Sequence, residues 1–177
     1  GSAKSQSSDV TFASGIAVGL EEDMFLKTNS VGGSYGLGAE AGLLNTGNGA
    51  DSLIALGKAT GEVSATARGV DVANGVINLG AGADTIKAVA RAKANDPDGE
   101  EMAIGIYGGV IIAGTGADDV LARSNTLLVG DSGQTLAGGL GFGGGVEINL
   151  GDGDDIILGF GDGVLDGGDG FDTLQFE

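Results

Sequence analysis

Residues 145–157 read GVEINLGDGDDII, an apolar run into which three aspartates, Asp152, Asp154 and Asp155, are set around Gly151 and Gly153. Carboxylates held this close repel one another, so the segment needs a cation, open water or a structural reason to keep them together. The reason lies in its relatives. Residues 42–53 (GLLNTGNGADSL), 75–86 (GVINLGAGADTI) and 109–120 (GVIIAGTGADDV) align with it, and 167–175 (GGDGFDTLQ) supply a last copy. The shared core is Gly-x-Gly-x-Asp, ending at Asp51, Asp84, Asp118, Asp155 and Asp172, at intervals of 33, 34, 37 and 17 residues. Self-similarity at a fixed period is the signature of a repeat architecture.

Between the glycine cores the residues alternate. After Asp84, Ile86, Ala88, Ala90 and Ala92 fall on one side and Lys87, Arg91 and Lys93 on the other, which is the period of a strand. The fourth copy carries one residue more between its leading glycine and its aspartate, which reads as a bulge. The stretch 95–101 (NDPDGEE), with the single proline, reads as an exposed excursion. Short strands joined by glycine turns predict an all-β fold, a parallel β-solenoid of the β-roll or β-helix kind built from Gly-x-Gly-x-Asp turns. A glycine recurring nine residues before the aspartate in the first three copies favours two coils of about 17 residues per repeat. The rival is one wide coil of three strands per 34 residues.

Composition agrees with a turn-rich, narrow core. Of 177 residues 38 are glycine and one is proline, and the apolar side chains are mostly Ala, Val, Ile and Leu. No apolar run approaches the ~20 residues of a membrane-spanning helix. There is no cysteine, and no histidine to act as general base or transition-metal ligand. The net charge of −17 disfavours nucleic acid and anionic membrane as partners and favours cations. No Lys or Arg follows Arg123, so the last third is polyanionic.

GGDGFDTLQ matches the nonapeptide Gly-Gly-x-Gly-x-Asp-x-apolar-x, and residues 150–158 (LGDGDDIIL) match it with Leu150 in place of the first glycine. The chain thereby resembles the RTX (repeats-in-toxin) calcium-binding family, closely over Leu150–Gln175 and more loosely over Asn45–Asp119. The resemblance implies a β-roll with Ca²⁺ between stacked turns, held by turn carbonyls and aspartates. The chemistry suits it, because Ca²⁺ takes six to eight oxygens from carboxylates and carbonyls. The metal ligands expected on this basis are Asp155 and Asp172 first, with Asp152, Asp154, Asp169, Gly151, Gly153, Gly168 and Gly170. Asp118, Asp84 and Asp51 follow, because on a 17-residue coil they stand two coils apart and SATARG (64–69) would bring Arg68 between them. An Asp that only caps its own turn is the plain alternative at each position.

These readings divide the chain into a tail and capping coil (1–29, with GLEEDMFLK from Gly19 as a degenerate copy), divergent repeats (30–149) and calcium-binding coils (150–177), all in one domain. The expected function is a non-catalytic, calcium-binding module of a secreted or surface protein, structural or adhesive, whose folding is coupled to calcium. The extracellular location is what the resemblance implies. The alternative is an accessory or catalytic piece of an extracellular enzyme acting on polysaccharide. An open sheet edge at the end of a solenoid would permit self-association.

Overall fold

The computed structural model describes residues 2–6, 10–17, 33–34, 42–96, 100–124, 128–129, 135–136, 139–159 and 161–175. The strands are β1 (Ser2–Gln6), β2 (Val10–Ala17), β3 (Gly33–Ser34), β4 (Leu43–Asn45), β5 (Ser52–Gly61), β6 (Ser64–Ala81), β7 (Thr85–Ala94) and β8 (Glu100–Thr115). They continue with β9 (Asp119–Ser124), β10 (Leu128–Val129), β11 (Thr135–Leu136), β12 (Gly139–Asp152), β13 (Ile156–Leu158), β14 (Gly161–Asp166) and β15 (Thr173–Gln175). The described residues form no helix. Two parallel sheets result. One runs β1-β5-β7-β9-β13-β15; the other runs β14-β12-β8-β6-β2-β3, with β4 also beside β6. A small antiparallel pair, β10 and β11, forms a separate two-stranded sheet.

From β5 onward the chain crosses from one sheet to the other and back, and each crossing pairs with the corresponding one a repeat away. Ser52 pairs with Thr85, Thr85 with Asp119, Asp119 with Ile156 and Ile156 with Thr173. The repeat-to-repeat shift is therefore the full 33 to 37 residues until the last, which is 17. The two-coil reading of a repeat is corrected. A 34-residue repeat is one circuit, because its second half does not turn back but runs on as a single long strand of 14–18 residues in β6, β8 and β12. A bend replaces the missing turn. The register slips between Asp71 and Val76 and between Gly143 and Glu147, where Ala73, Gly108, Gly109, Gly144 and Gly145 have positive φ. The extra residue of the fourth copy is this second slip.

The core follows from the pleat. In β7, Ile86, Ala88, Ala90 and Ala92 are buried while Lys87, Arg91 and Lys93 are exposed, as the alternation predicts. Equivalent side chains stack from circuit to circuit, so Leu53, Ile86, Val120, Ile157 and Leu174 form one row. Leu44, Ile77, Ile111, Ile148 and Leu165 form the facing one. Beyond these rows the space between the sheets narrows, and the core there is Ala59, Ala65, Ala67, Ala90, Ala92 and Ala103. At the narrowest level side chains disappear. A Cβ on Gly69 would lie 2.6 Å from Gly105 O and 2.8 Å from Val89 N, so backbone meets backbone across the sheets. Small residues are what such a wedge requires.

Of the 95–101 excursion, Asn95 and Asp96 are exposed, Glu100 and Glu101 already belong to β8, and 97–99 lie outside the described residues. The degenerate copy at Gly19 also lies outside them. In the N-terminal segment, β1 and β2 pair parallel with β5 and β6.

Candidate functional site

Each Gly-x-Gly-x-Asp core is the corner at which the chain leaves the second sheet and enters the first. Its glycines have two reasons to be glycine. Gly80 and Gly82 have φ of 101° and 149°, and a Cβ on either would strike the carbonyl oxygen of Gly47 or Gly49 at 1.8 and 2.0 Å. The same approach recurs at Gly114, Gly116, Gly151, Gly153, Gly168 and Gly170, so the turn carbonyls of successive circuits stand in a column.

The aspartates stand in a second column beside it. Asp51 N–H donates to Asp84 Oδ1, Asp84 N–H to Asp118 Oδ1 and Asp118 N–H to Asp155 Oδ1, each at 2.7 Å, and Asp155 N–H donates to Asp172 Oδ1 at 3.2 Å. Each carboxylate thus caps the corner of the preceding circuit, not its own turn. Asp84, Asp118 and Asp155 are each 1% exposed. The other oxygen, Oδ2, of Asp51, Asp84, Asp118 and Asp155 is buried with no hydrogen-bond partner. A buried, unsatisfied carboxylate oxygen is costly, and here four recur in line. At an effective dielectric of about 20, two charges ~5 Å apart repel by about 3 kcal/mol. Burial pushes the Asp118 carboxyl above its ordinary range; the Asp84 N–H draws it back, and the neighbouring carboxylates Asp155, Asp84 and Asp119 raise it further. Asp155 is raised in the same way, by burial first and then by Asp172, Asp154 and Asp119, against the Asp118 N–H.

The acids added in the last copies stand outside this column. Asp152, Asp154 and Asp169 are exposed. Asp152 and Asp169 bridge main chain to main chain, and Asp154 Oδ1 accepts the Phe171 N–H at 2.9 Å, fastening the last circuit to the one before. Asp172, at the end of the column, is exposed. The ranking of Asp155 and Asp172 above the inner aspartates rested on the 17-residue coil. With full-repeat circuits Asp51, Asp84, Asp118 and Asp155 are consecutive members of one ladder. Arg68 does not interrupt it, because residues 64–69 lie in β6 with Arg68 against Gly57 of the facing sheet.

Among the described residues, no three acidic side chains converge as a ready-made metal cage. A cation at this ladder would draw on carboxylates of neighbouring circuits together with turn carbonyls, all hard oxygen donors. Among the described residues the exposed cations lie elsewhere: Lys58, Lys87, Arg91, Lys93 and Arg123 are on the outer surface of the first sheet.

A second buried charge escapes a reading confined to the repeats. Asp71 is fully buried, pairs with Arg68 at 2.7 Å, and the Arg68 guanidinium lies 3.5 Å from the centre of the Tyr107 ring. Tyr107 in turn covers Gly144, whose Cβ would be 2.6 Å from the ring. The signal was an acid inside an apolar run, Val70-Asp71-Val72, three residues after an arginine. No protein-family model, no curated protein and no solved structure matches the chain.

Proposed function

We propose that the chain is a parallel β-solenoid whose Gly-x-Gly-x-Asp corners bind calcium, so that the ion holds successive circuits together. The observation that carries this reading is the row of buried, unpartnered Oδ2 atoms on Asp51, Asp84, Asp118 and Asp155. A divalent cation would neutralise the column and satisfy those oxygens together. The residues that would hold it are these aspartates with Asp172, and the turn glycines Gly49, Gly82, Gly116, Gly153 and Gly170 through their carbonyls. The donors are oxygen only, which suits Ca²⁺ and not a soft transition metal.

Calcium supplies positive charge and a flexible oxygen coordination shell; the chain supplies spacing. The strand ladder places equivalent corners about 4.8 Å apart, and each Asp is held in place by its bond to the preceding corner's N–H. Without the ion the same carboxylates repel, so folding and calcium binding are linked. The role in this reading is structural or adhesive, and the resemblance to RTX repeats would imply a location outside the cell, where calcium is abundant. The test is isothermal titration calorimetry of the chelator-treated protein with CaCl₂. Saturable binding that weakens in Asp84→Asn and Asp118→Asn supports the reading. Heats indistinguishable from dilution refute it.

A further inference from the structure

Among the described residues the chain holds two Asn-Gly steps, Asn48-Gly49 and Asn74-Gly75, and both asparagines are exposed. The backbone treats them differently. Asn48-Gly49 lies in a corner, where Asn48 bridges to Ala81 and the Gly49 N–H donates to the Ala81 carbonyl at 2.7 Å. Asn74-Gly75 lies at the bend of β6. There Asp71 pairs with Tyr107 and Val76 with Val110, so β6 carries two residues more than β8 across the same span. That is a bulge. Neither Asn74 nor Gly75 has a register partner on β8, or on β4, whose pairing with β6 starts at Leu43 and Val76. Ala73, immediately before, has φ of 43°, the one positive value at a non-glycine residue among the described residues. In that region a Cβ crowds the backbone.

We infer that Asn74 is a site of spontaneous modification, at which the side-chain amide is lost to attack by the Gly75 main-chain nitrogen. The nitrogen, deprotonated by hydroxide, adds to Cγ of Asn74. A C–N bond forms, the bond from Cγ to the amide nitrogen breaks, and ammonia leaves a cyclic succinimide behind. Water then opens either carbonyl of the ring and gives aspartate or isoaspartate. The net change is hydrolysis, with water consumed and ammonia released, and it needs no oxidant or cofactor. Glycine favours the step because no Cβ shields its nitrogen, and the bulge favours it because the ladder is interrupted there. At Asn48 the hydrogen bond to Ala81 engages the attacking nitrogen and opposes the same chemistry. The other described asparagines precede larger residues, and Asn95 is also tied through Nδ2 to Glu62 Oε1 at 2.9 Å. Either product acts at the bend that sets circuit length. Isoaspartate adds a methylene to the main chain just before Val76 and Ile77, and Ile77 is a fully buried member of the core. Aspartate adds a charge close in sequence to buried Asp71, on a chain already at −17. The modification therefore loosens the bend with time.

The test is peptide-mapping mass spectrometry of the folded chain after incubation at mildly alkaline pH in millimolar calcium, with isoaspartate read by enzymatic methylation. The urea-denatured chain at the same pH is the reference, because there the two Asn-Gly steps are equally unrestrained. In the folded chain Asn74 is expected to convert about tenfold faster than Asn48, since a hydrogen bond holds only the second nitrogen. In urea the two rates are expected to be similar. Aged wild type is expected to melt below fresh protein, whereas aged Asn74→Gln keeps its melting temperature; circular dichroism confirms that the variant folds. Equal conversion of the two sites in the folded chain overturns the inference, as does faster conversion of Asn48. Conversion of Asn74 that leaves the melting temperature unchanged overturns the claim that the bend is loosened. Covalent change is read here and not ion binding, so failure of this inference is distinct from failure of the calcium reading.

Discussion

Asp118 donates its N–H to Oδ1 of Asp155 at 2.7 Å, and its own Oδ1 accepts from Asp84 at the same distance, while Oδ2 of Asp118 and Asp155 stays buried without a partner. The same residue is therefore a structural cap through one oxygen and a ligand candidate through the other. Asp118→Asn separates the two roles. The amide keeps the accepting oxygen and removes the charge, so in EGTA the variant is expected to melt at or above the wild-type temperature. Its calcium affinity is expected to fall about tenfold or more, ~1.4 kcal/mol. Calorimetry and thermal melts read the two effects; equal destabilisation with and without calcium would contradict the division.

Acid should stabilise the metal-free chain. Asp118 and Asp155 carry carboxyls raised by burial and by neighbouring carboxylates. A group raised in the fold contributes stability that is complete below its unfolded value, about 3.9, and is lost as pH climbs through the raised folded value. In EGTA the melting temperature is therefore expected to rise as pH is lowered from neutrality toward about 4, and relief of the net −17 charge acts in the same direction. Saturating calcium should flatten or reverse this trend, since protons compete with the ion. A monotonic fall in EGTA would count against stacked, buried carboxylates.

The narrow end of the core forbids a methyl group. A Cβ on Gly105 would lie 2.7 Å from Gly141 O and 2.8 Å from Arg123 N. Gly105→Ala is expected to cost at least about 1–3 kcal/mol in urea unfolding through overpacking. Gly145→Ala is the control: its Cβ meets nothing within 4 Å, and only its φ of 65° opposes it, at about 1–2 kcal/mol. A smaller loss at Gly105 than at Gly145 would show that the sheets do not approach so closely.

The buried pair at the bend predicts non-additivity. Arg68→Met leaves Asp71 fully buried without its 2.7 Å partner and is expected to cost about 3–5 kcal/mol. Arg68→Met combined with Asp71→Leu should recover most of that loss, because a pair of apolar residues buries no charge. Urea unfolding of the two singles and the double completes the cycle, and simple additivity would contradict a direct pair.

Much of the architecture was readable from the turns. Gly-x-Gly-x-Asp marks each described corner from the second sheet into the first, and the alternation after Asp84 places Ile86 and the alanines inside and the lysines outside. Circuit length was not readable, because a recurring Asp fixes the repeat but not how often the chain turns within it. The decision is made at Ala73, Gly108 and Gly109, and at Gly144 and Gly145, where positive φ bends one long strand. A glycine nine residues before the Asp resembles a turn marker; at Gly109, and at its counterpart Gly145 ten residues before Asp155, it is a bend within a strand. That error placed Arg68 beside the acids and set Asp51, Asp84 and Asp118 apart from Asp155. The orientation of the aspartates was also hidden. Spacing alone does not distinguish an Asp capping its own turn from one bonded a full circuit back.

The most direct test of the account is the melting temperature of the chain in millimolar calcium against EGTA, followed by circular dichroism. Ligand at about 100 times its Kd contributes about 2.7 kcal/mol, and at about 2–4 °C per kcal/mol for a domain of this size the predicted rise is about 5–10 °C. EGTA should reverse it, and Asp84→Asn with Asp118→Asn should diminish it. An identical melting temperature in calcium and in chelator would contradict the claim that the aspartate ladder is a calcium site.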